Sequence, residues 1–201
     1  MKEYVVKRLT AEKPDWSAIE AIKIDVPYRD TKDDVTAEAK FCYDESGIYV
    51  KLSTTEPHSP AKGKDFLAEP CLDSCLEFFF SPMENDERYM NIEFNPNGIY
   101  YFGIGTSIKT LVRLLPENRN VLGAKIRKHN GGWSLTYKVP VSTVRMFFPG
   151  FELYSGKVMR ANCYKCVEVA EEPNFLAWND ITEGSTLNFH RPHLFGKFIF
   201  E

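Results

Sequence analysis

Three carboxylates lie near one another in the middle of the chain, Asp73, Glu77 and Glu93, and their surroundings are unusual for acids. Glu77 sits among Cys75, Leu76, Phe78, Phe79 and Phe80, so apolar groups surround its stem. An ionised carboxylate in such a place is costly unless it is paired or strongly hydrogen-bonded. One way to meet that cost is a salt bridge, with Arg160 or Arg88 as the partner. Another is to accept hydrogen bonds from the hydroxyls of a ligand. A third chemistry uses two carboxyl groups on a glycosidic bond, Glu77 acting with Glu93 or Asp73. Residue chemistry alone leaves these open.

Other catalytic equipment is sparse. Gly98-x4-Gly103-x-Gly105 lies in a strand-and-turn region with no helix to follow, which fails the context a phosphate loop requires. No serine elbow is present, and the His190-x2-His193 pair is interrupted by Pro192, so these histidines read as loop or packing residues. Five cysteines are an odd number for a disulfide framework. Cys71-x3-Cys75 with Cys163-x2-Cys166 invites a zinc reading. Against it, residues three apart in a strand point to opposite faces, so Cys163 and Cys166 should diverge and the thiols pack as small hydrophobes.

The elements that hold these residues are strands. Residues 39–52 form a hairpin about Asp44-Glu45-Ser46-Gly47, with Ile48, Val50 and Leu52 alternating against Tyr49 and Lys51. Residues 74–81 are apolar on both faces apart from Glu77, as a central strand must be. In residues 89–94, Met90, Ile92 and Phe94 take one side and Tyr89, Asn91 and Glu93 the other. Asn95-Pro96-Asn97-Gly98 is a turn, and 99–104, 124–128, 133–139, 157–169 and 196–200 complete the strands. Val141, Val144 and Phe148 predict a turn or two of helix after Pro140. Residues 56–65 and 168–187 are long loop excursions, the second carrying Trp178. The pattern predicts one all-β domain over residues 1–201: an antiparallel β-sandwich, jelly-roll or immunoglobulin-like, with short helical turns in its loops.

Pairing 74–81 with 89–94 would put Glu77, Asn91 and Glu93 on one face, and Arg160, Asn162 and Tyr164 alternate onto a face of a third strand. Carboxylates, amides, an arginine and aromatic rings together are poorly explained by core packing. They suit a sugar, whose hydroxyls take hydrogen bonds and whose C–H face stacks on rings. Contacts of about 0.5–1.5 kcal/mol per ring and about 1.5–3 kcal/mol per charge-assisted hydrogen bond predict binding in roughly the micromolar to millimolar range.

Composition narrows the partners. With a net charge of −3 and no clustered basic stripe, nucleic acid is not expected; Arg113, Arg119, Lys125, Arg127 and Lys128 read as a solvated edge. No apolar run reaches the length of a membrane helix. The first eight residues hold no signal-peptide core, and reduced thiols point to the cytoplasm, although a secreted chain whose signal had been removed would read the same.

The residues also resemble a known family. Asp73-Ser74-Cys75-Leu76-Glu77-Phe78-Phe79, Tyr89-Met90-Asn91-Ile92-Glu93-Phe94-Asn95 with Gly98, Trp133-Ser134-Leu135-Thr136-Tyr137-Lys138-Val139-Pro140, Arg160-Ala161-Asn162-Cys163-Tyr164-Lys165, Trp178 and Phe189-His190-Arg191-Pro192-x2-Phe195-Gly196 look like the motifs of family 9-like carbohydrate-binding modules, within the DOMON-like group. The resemblance spans nearly the whole chain. It implies a β-sandwich that binds mono- or oligosaccharides without transforming them, in association with a carbohydrate-active enzyme. It requires no cofactor, but structural calcium is frequent, and Asp15, Asp44 and Asp180 are the acidic loop positions open to it. In the family a sugar lies between two Trp rings. Trp178 resembles the second; the first falls near Cys71, where this sequence has Pro70, Cys71 and Leu72, leaving Phe66 or Tyr101 to substitute. The expected ligand-binding set is Glu77, Asn91, Glu93, Arg160, Asn162 and Trp178, with no catalytic residue assigned. The competing readings are a hydrolase using Glu77 with Glu93 or Asp73, a haem or redox domain like some DOMON relatives, and an interaction module with a degenerate sugar site.

Overall fold

Period-two alternation is realised as strand almost everywhere it occurs. The computed structural model describes residues 1–29, 31, 32, 34–169, 171, 173–184 and 187–201. Its strands are β1 (Glu3–Arg8), β2 (Ile22–Ile24), β3 (Val26–Pro27), β4 (Thr36–Asp44), β5 (Gly47–Thr55), β6 (Cys75–Ser81) and β7 (Tyr89–Phe94). They continue as β8 (Tyr100–Gly105), β9 (Val112–Arg113), β10 (Lys125–His129), β11 (Gly132–Pro140), β12 (Val158–Val167), β13 (Asn174–Ala177) and β14 (Gly196–Phe200). The predicted helix is α1 (Val141–Arg145), and short 3-10 turns occupy Pro70–Leu72, Ile108–Thr110 and Pro192–Leu194. No helix among the described residues is long and apolar enough to cross a membrane.

The strands form one curled, mixed sheet in the order β10-β11-β5-β4-β1-β14-β12-β6-β7-β8-β9, with β2 beside β4, β13 beside β12 and β3 beside β13. The wholly antiparallel pairing expected from sequence is corrected at β1. Its first half runs parallel to β14 (Glu3 opposite Lys197, Val6 opposite Phe200), and its second half runs parallel to β4 (Lys7 opposite Cys42). Hairpins force antiparallel neighbours, but the two ends of a chain carry no such constraint, so β1 and β14 can align in the same direction. β1 thereby joins two wings of the sheet.

The inner faces of the wings meet in the main core. Phe41 of β4 lies 4.8 Å from Phe78 of β6 and 4.8 Å from Phe198 of β14, ring centre to ring centre. Phe94 of β7 packs on Tyr137 of β11 at 5.1 Å. Trp133 is fully buried there. β6, β7 and β12 are buried on their outer faces too, because the chain between β12 and β14 folds back across them. Residues 170, 172, 185 and 186 of that excursion lie outside the described residues. Burial on both faces explains why Cys-Leu-Glu-Phe-Phe-Phe is nearly continuous in apolar residues.

Candidate functional site

The Asp73-Ser74 pair comes into the site with a structural task. The Asp73 carboxylate accepts from the Lys62 and Gly63 amides at 2.8 Å each and from Asn95 Nδ2 at 2.9 Å, which staples the 56–65 loop to the β7–β8 turn. Ser74 Oγ accepts from Trp133 Nε1 at 2.7 Å and donates to Glu56. The other oxygen of Glu56 lies 2.9 Å from Lys165 Nζ, an ion pair with both side chains fully enclosed. These bonds fix the start of β6, and the alternation of the strand then aims Cys75, Glu77, Phe79 and Ser81 outward.

Register carries a polar row across the outer face. Glu93 of β7 stands directly opposite Glu77 of β6, with Tyr101 of β8 beyond Glu93 and Tyr164 of β12 beyond Glu77. Neither predicted salt bridge to Glu77 forms. Arg88 pairs with Asp86, and Arg160 donates to the His193 carbonyl at 2.9 Å. Instead the Cys166 thiol donates to Glu77 Oε1 at 3.0 Å, and Asn91 Nδ2 donates to Glu93 Oε1 at 2.6 Å. Burial is the main cause of the raised pKa of Glu77, which is pushed up to about 7; the Cys166 bond opposes the rise. Glu93 is pushed well above the ordinary carboxylate range by burial and then by the neighbouring Glu77 charge. Two adjacent enclosed carboxyls do not both ionise readily, so near neutral pH the pair offers both a donor and acceptors. A sugar hydroxyl needs both.

The other members of the expected set disperse. Asn91 shares the face, and its Oδ1 is buried without a hydrogen-bond partner. Asn162 also points outward, but it is committed to the excursion: its Oδ1 accepts from the Asn179 amide at 2.9 Å, and its Nδ2 donates to the Asn179 carbonyl at 2.9 Å. Arg160 belongs to the far end of the face. Trp178 corrects the expected stacking platform. It is 3% exposed, its ring lies 5.5 Å from Phe198 in the main core, and a Cβ on Gly196 would stand 2.6 Å from its Cζ3. Outward-facing Ala177 precedes it, so alternation turns Trp178 inward. Glu77, Arg160, Asn162 and Trp178 therefore do not converge on one cleft.

Residues not singled out for the site border the carboxyl pair instead. Arg113, read from sequence as part of a solvated edge, bonds the carbonyls of Phe66, Leu67, Ala68 and Tyr100 and lies 4.9 Å above the Tyr101 ring. It also pairs with Glu69 at 3.2 Å. Cys71, half-exposed, packs beside Cys75 and Cys166, and its carbonyl accepts from the Glu168 amide at 2.9 Å. Phe189 stacks on Tyr164 at 4.2 Å with planes 6° apart, which presses the excursion onto the face. Long-range carbonyl bonds of this kind leave no trace in local sequence pattern.

At the far end of the same face lies a cavity of about 750 Å³ lined by Arg160, His190, Arg191, His193, Ser81 and Asp86, among others. The Tyr89 hydroxyl and His190 Nδ1 share a hydrogen bond at 2.6 Å, and burial lowers the His190 pKa to about 4, so the ring is neutral.

Calcium, which the family resemblance implies, meets a poor fit. Asp15, Asp44 and Asp180 each bond to the amide and hydroxyl two residues on, and no three carboxylates converge among the described residues.

A stiff sheet that presents carboxyl groups, an amide and aromatic rings from neighbouring strands has the build of a ligand-recognition module. The family model of carbohydrate-binding family 9 matches residues 4–200, and the chain belongs to that family. A candidate carbohydrate-binding protein from Bacteroides uniformis ATCC 8492 is similar in structure, with a TM-score of 0.85 and 25% identity over 100% of this chain and 99% of that one. A family 9 module from Caldicellulosiruptor kristjanssonii, solved with glucose, has a TM-score of 0.71 at 13% identity, covering 100% of this chain and 96% of that one. A family 9 module from Caldicellulosiruptor kristjanssonii solved with cellotriose has a TM-score of 0.71 at 13% identity, covering 100% of this chain and 94% of that one. No curated protein matches the chain.

Proposed function

We propose that this protein binds a mono- or oligosaccharide without transforming it, at the end of the outer face where Glu77 and Glu93 stand side by side. The observation that carries this reading is that carboxyl pair, enclosed, in cross-strand register and without an ion-pair partner among the described residues. Glu93, 7% exposed, is the more open of the two. The sugar would rest above it, bordered by Glu69, Cys71, Tyr101, Arg113 and Glu168, with Asn91 as the amide of the set. The family 9 relatives solved with glucose and cellotriose support this substrate class. Hydrolysis is the weaker reading. Asp73 is spent on the 56–65 loop, and both glutamates are raised in pKa, which leaves no dedicated ionised nucleophile. We read the wings of the sheet as the layers of a β-sandwich forming one domain of the DOMON-like group, serving a carbohydrate-active enzyme and not a nucleic acid or membrane.

Isothermal titration with glucose, cellotriose and other oligosaccharides tests the proposal. Binding in roughly the micromolar to millimolar range is expected, weakened about tenfold by Glu93→Gln, with Arg160→Ala within about twofold of wild type. The reverse order of effects moves the sugar to the far cavity. No heat with any saccharide overturns the function.

A further inference from the structure

Beside Glu77 stand two buried thiols that sugar recognition does not use. Cys75 of β6 and Cys166 of β12 are directly opposite in register, and the Cys166 thiol donates to Glu77 Oε1 at 3.0 Å. Cys75 Sγ, Cys166 Sγ and a Glu77 carboxylate oxygen lie within 4.8 Å of one another, the one such trio among the described residues. Cys71 packs against the same cluster from the solvent side. Cys163, the remaining cysteine of the two short spacings, faces the main core and takes no part. We propose that Cys75, Cys166 and Glu77 form a three-ligand binding site for one thiophilic d¹⁰ cation, zinc by chemistry, with Cys71 packed beside it outside the trio.

The geometry suits such an ion. Tetrahedral zinc holds sulfur at about 2.3 Å and carboxylate oxygen at about 2.0–2.2 Å, which sets neighbouring donor atoms about 3.5–3.8 Å apart. The three donors need to move by only a fraction of an ångström around that centre. Thiolate ligands select zinc over hard cations such as calcium. An apolar shell of Phe175, Phe189, Leu187 and Tyr28 surrounds the group, so the site would be dry and closed. The Lys165 ammonium acts favourably on both Glu77 and Cys166, which offsets part of the negative charge the ligands bring. Burial holds the thiols protonated without metal, so binding releases their protons to solvent as the metal–sulfur bonds form. The ion would tie β6 and β12 together directly behind the proposed sugar position. The proposal depends on the placement of the thiols and not on sugar binding.

Protein stripped with chelator and kept reduced is titrated with Zn²⁺, and with Cd²⁺ and Co²⁺ as spectroscopic probes. The expected result is one equivalent bound, with thiolate charge-transfer bands for Cd²⁺, the visible bands of tetrahedral Co²⁺, proton release and a raised Tm. Cys166→Ser and Cys75→Ser should each weaken binding about 100-fold or more, while Cys163→Ala keeps the stoichiometry. Absence of thiolate bands at one equivalent overturns the site, as does equal loss in Cys163→Ala. So does a Cys75–Cys166 disulfide in the purified protein together with no metal uptake after reduction. Sugar titrations separate the two proposals: Glu93→Gln should lose sugar and keep metal, and Cys166→Ser the reverse.

Discussion

At one end of the outer face, Glu77 and Glu93 lie enclosed side by side, and no ion pair to either forms among the described residues. At the other end, Arg160, His190, Arg191 and His193 border a cavity of about 750 Å³, and the loop above it supplies their partners. Arg160 donates to the carbonyls of His193 and Phe195, Arg191 to that of Ile181, and His190 of the loop shares a hydrogen bond with Tyr89 of β7. The same strands serve both ends, so strand chemistry does not separate them. The loop does. Where its backbone turns toward the sheet, charge is answered by hydrogen bonds. Where it presents Phe189 and Leu187, the carboxyls have one small thiol and one amide, and burial answers by raising their pKa.

The largest test concerns what both ends share. Trp178→Ala removes the core anchor of the excursion and should cost about 3–5 kcal/mol in denaturant unfolding, with sugar affinity following the loss of structure. A selective loss of affinity with stability unchanged would return Trp178 to the ligand site and break the comparison.

The two ends should next respond oppositely to pH. His190 is neutral when folded, with a pKa near 4, while the unfolded ring takes up a proton below its ordinary 6.5. Stability from this end is therefore complete above 6.5 and declines as pH falls from 6.5 towards 4, by about 3 kcal/mol at most. His190→Gln should flatten that decline in urea midpoints. Glu77 is raised from 4.5 to about 7, so its end is least penalised below 4.5 and loses stability as pH rises through 7. In chelator-stripped protein, Glu77→Gln should match wild type in acid and gain on it above neutrality. A gap that narrows with rising pH would mean that a cation does reach Glu77.

Arg113→Ala leaves four backbone carbonyls without their donor and frees the Tyr101 ring. A loss of about 1–2 kcal/mol in stability is expected, with a measurable change in sugar affinity by calorimetry. The smallest effect belongs to the rim of the far cavity. His193 is 59% exposed and pairs with an equally exposed Glu183, so His193→Ala should shift stability by less than about 0.5 kcal/mol. A larger shift would give that cavity an organised role the comparison denies it.

Much of this was legible in residue order. The alternation of Met90, Ile92 and Phe94 against Tyr89, Asn91 and Glu93 placed β7 to the residue, and the apolar run about Glu77 marked β6 as central. Asp73-Ser74 and Phe-His-x-Pro-x2-Phe-Gly pointed to the family. The strand over Glu3–Arg8 was missed because its partners come from the opposite end of the chain and from β4, and no hairpin turn announces either. Asn162 and Trp178 read from sequence as ligand contacts, and the structure ties Asn162 to Asn179 and packs Trp178 on Phe198. A polar side chain bound to a loop and one aimed at solvent have the same local sequence.

The sequence by itself determined which side chains share a face, because alternation along a strand is a property of the backbone. It also determined that Glu77 would be enclosed, since its neighbours have nowhere else to go. Tertiary structure alone decided what meets Glu77 there. Register across β12, β6 and β7 brings Cys166 and Glu93 to its sides, while Asp86 holds Arg88 and the carbonyl of His193 holds Arg160. Partners from distant segments are chosen by which arrangement buries the most apolar surface with its polar groups satisfied, and that is settled only once the whole sheet has closed.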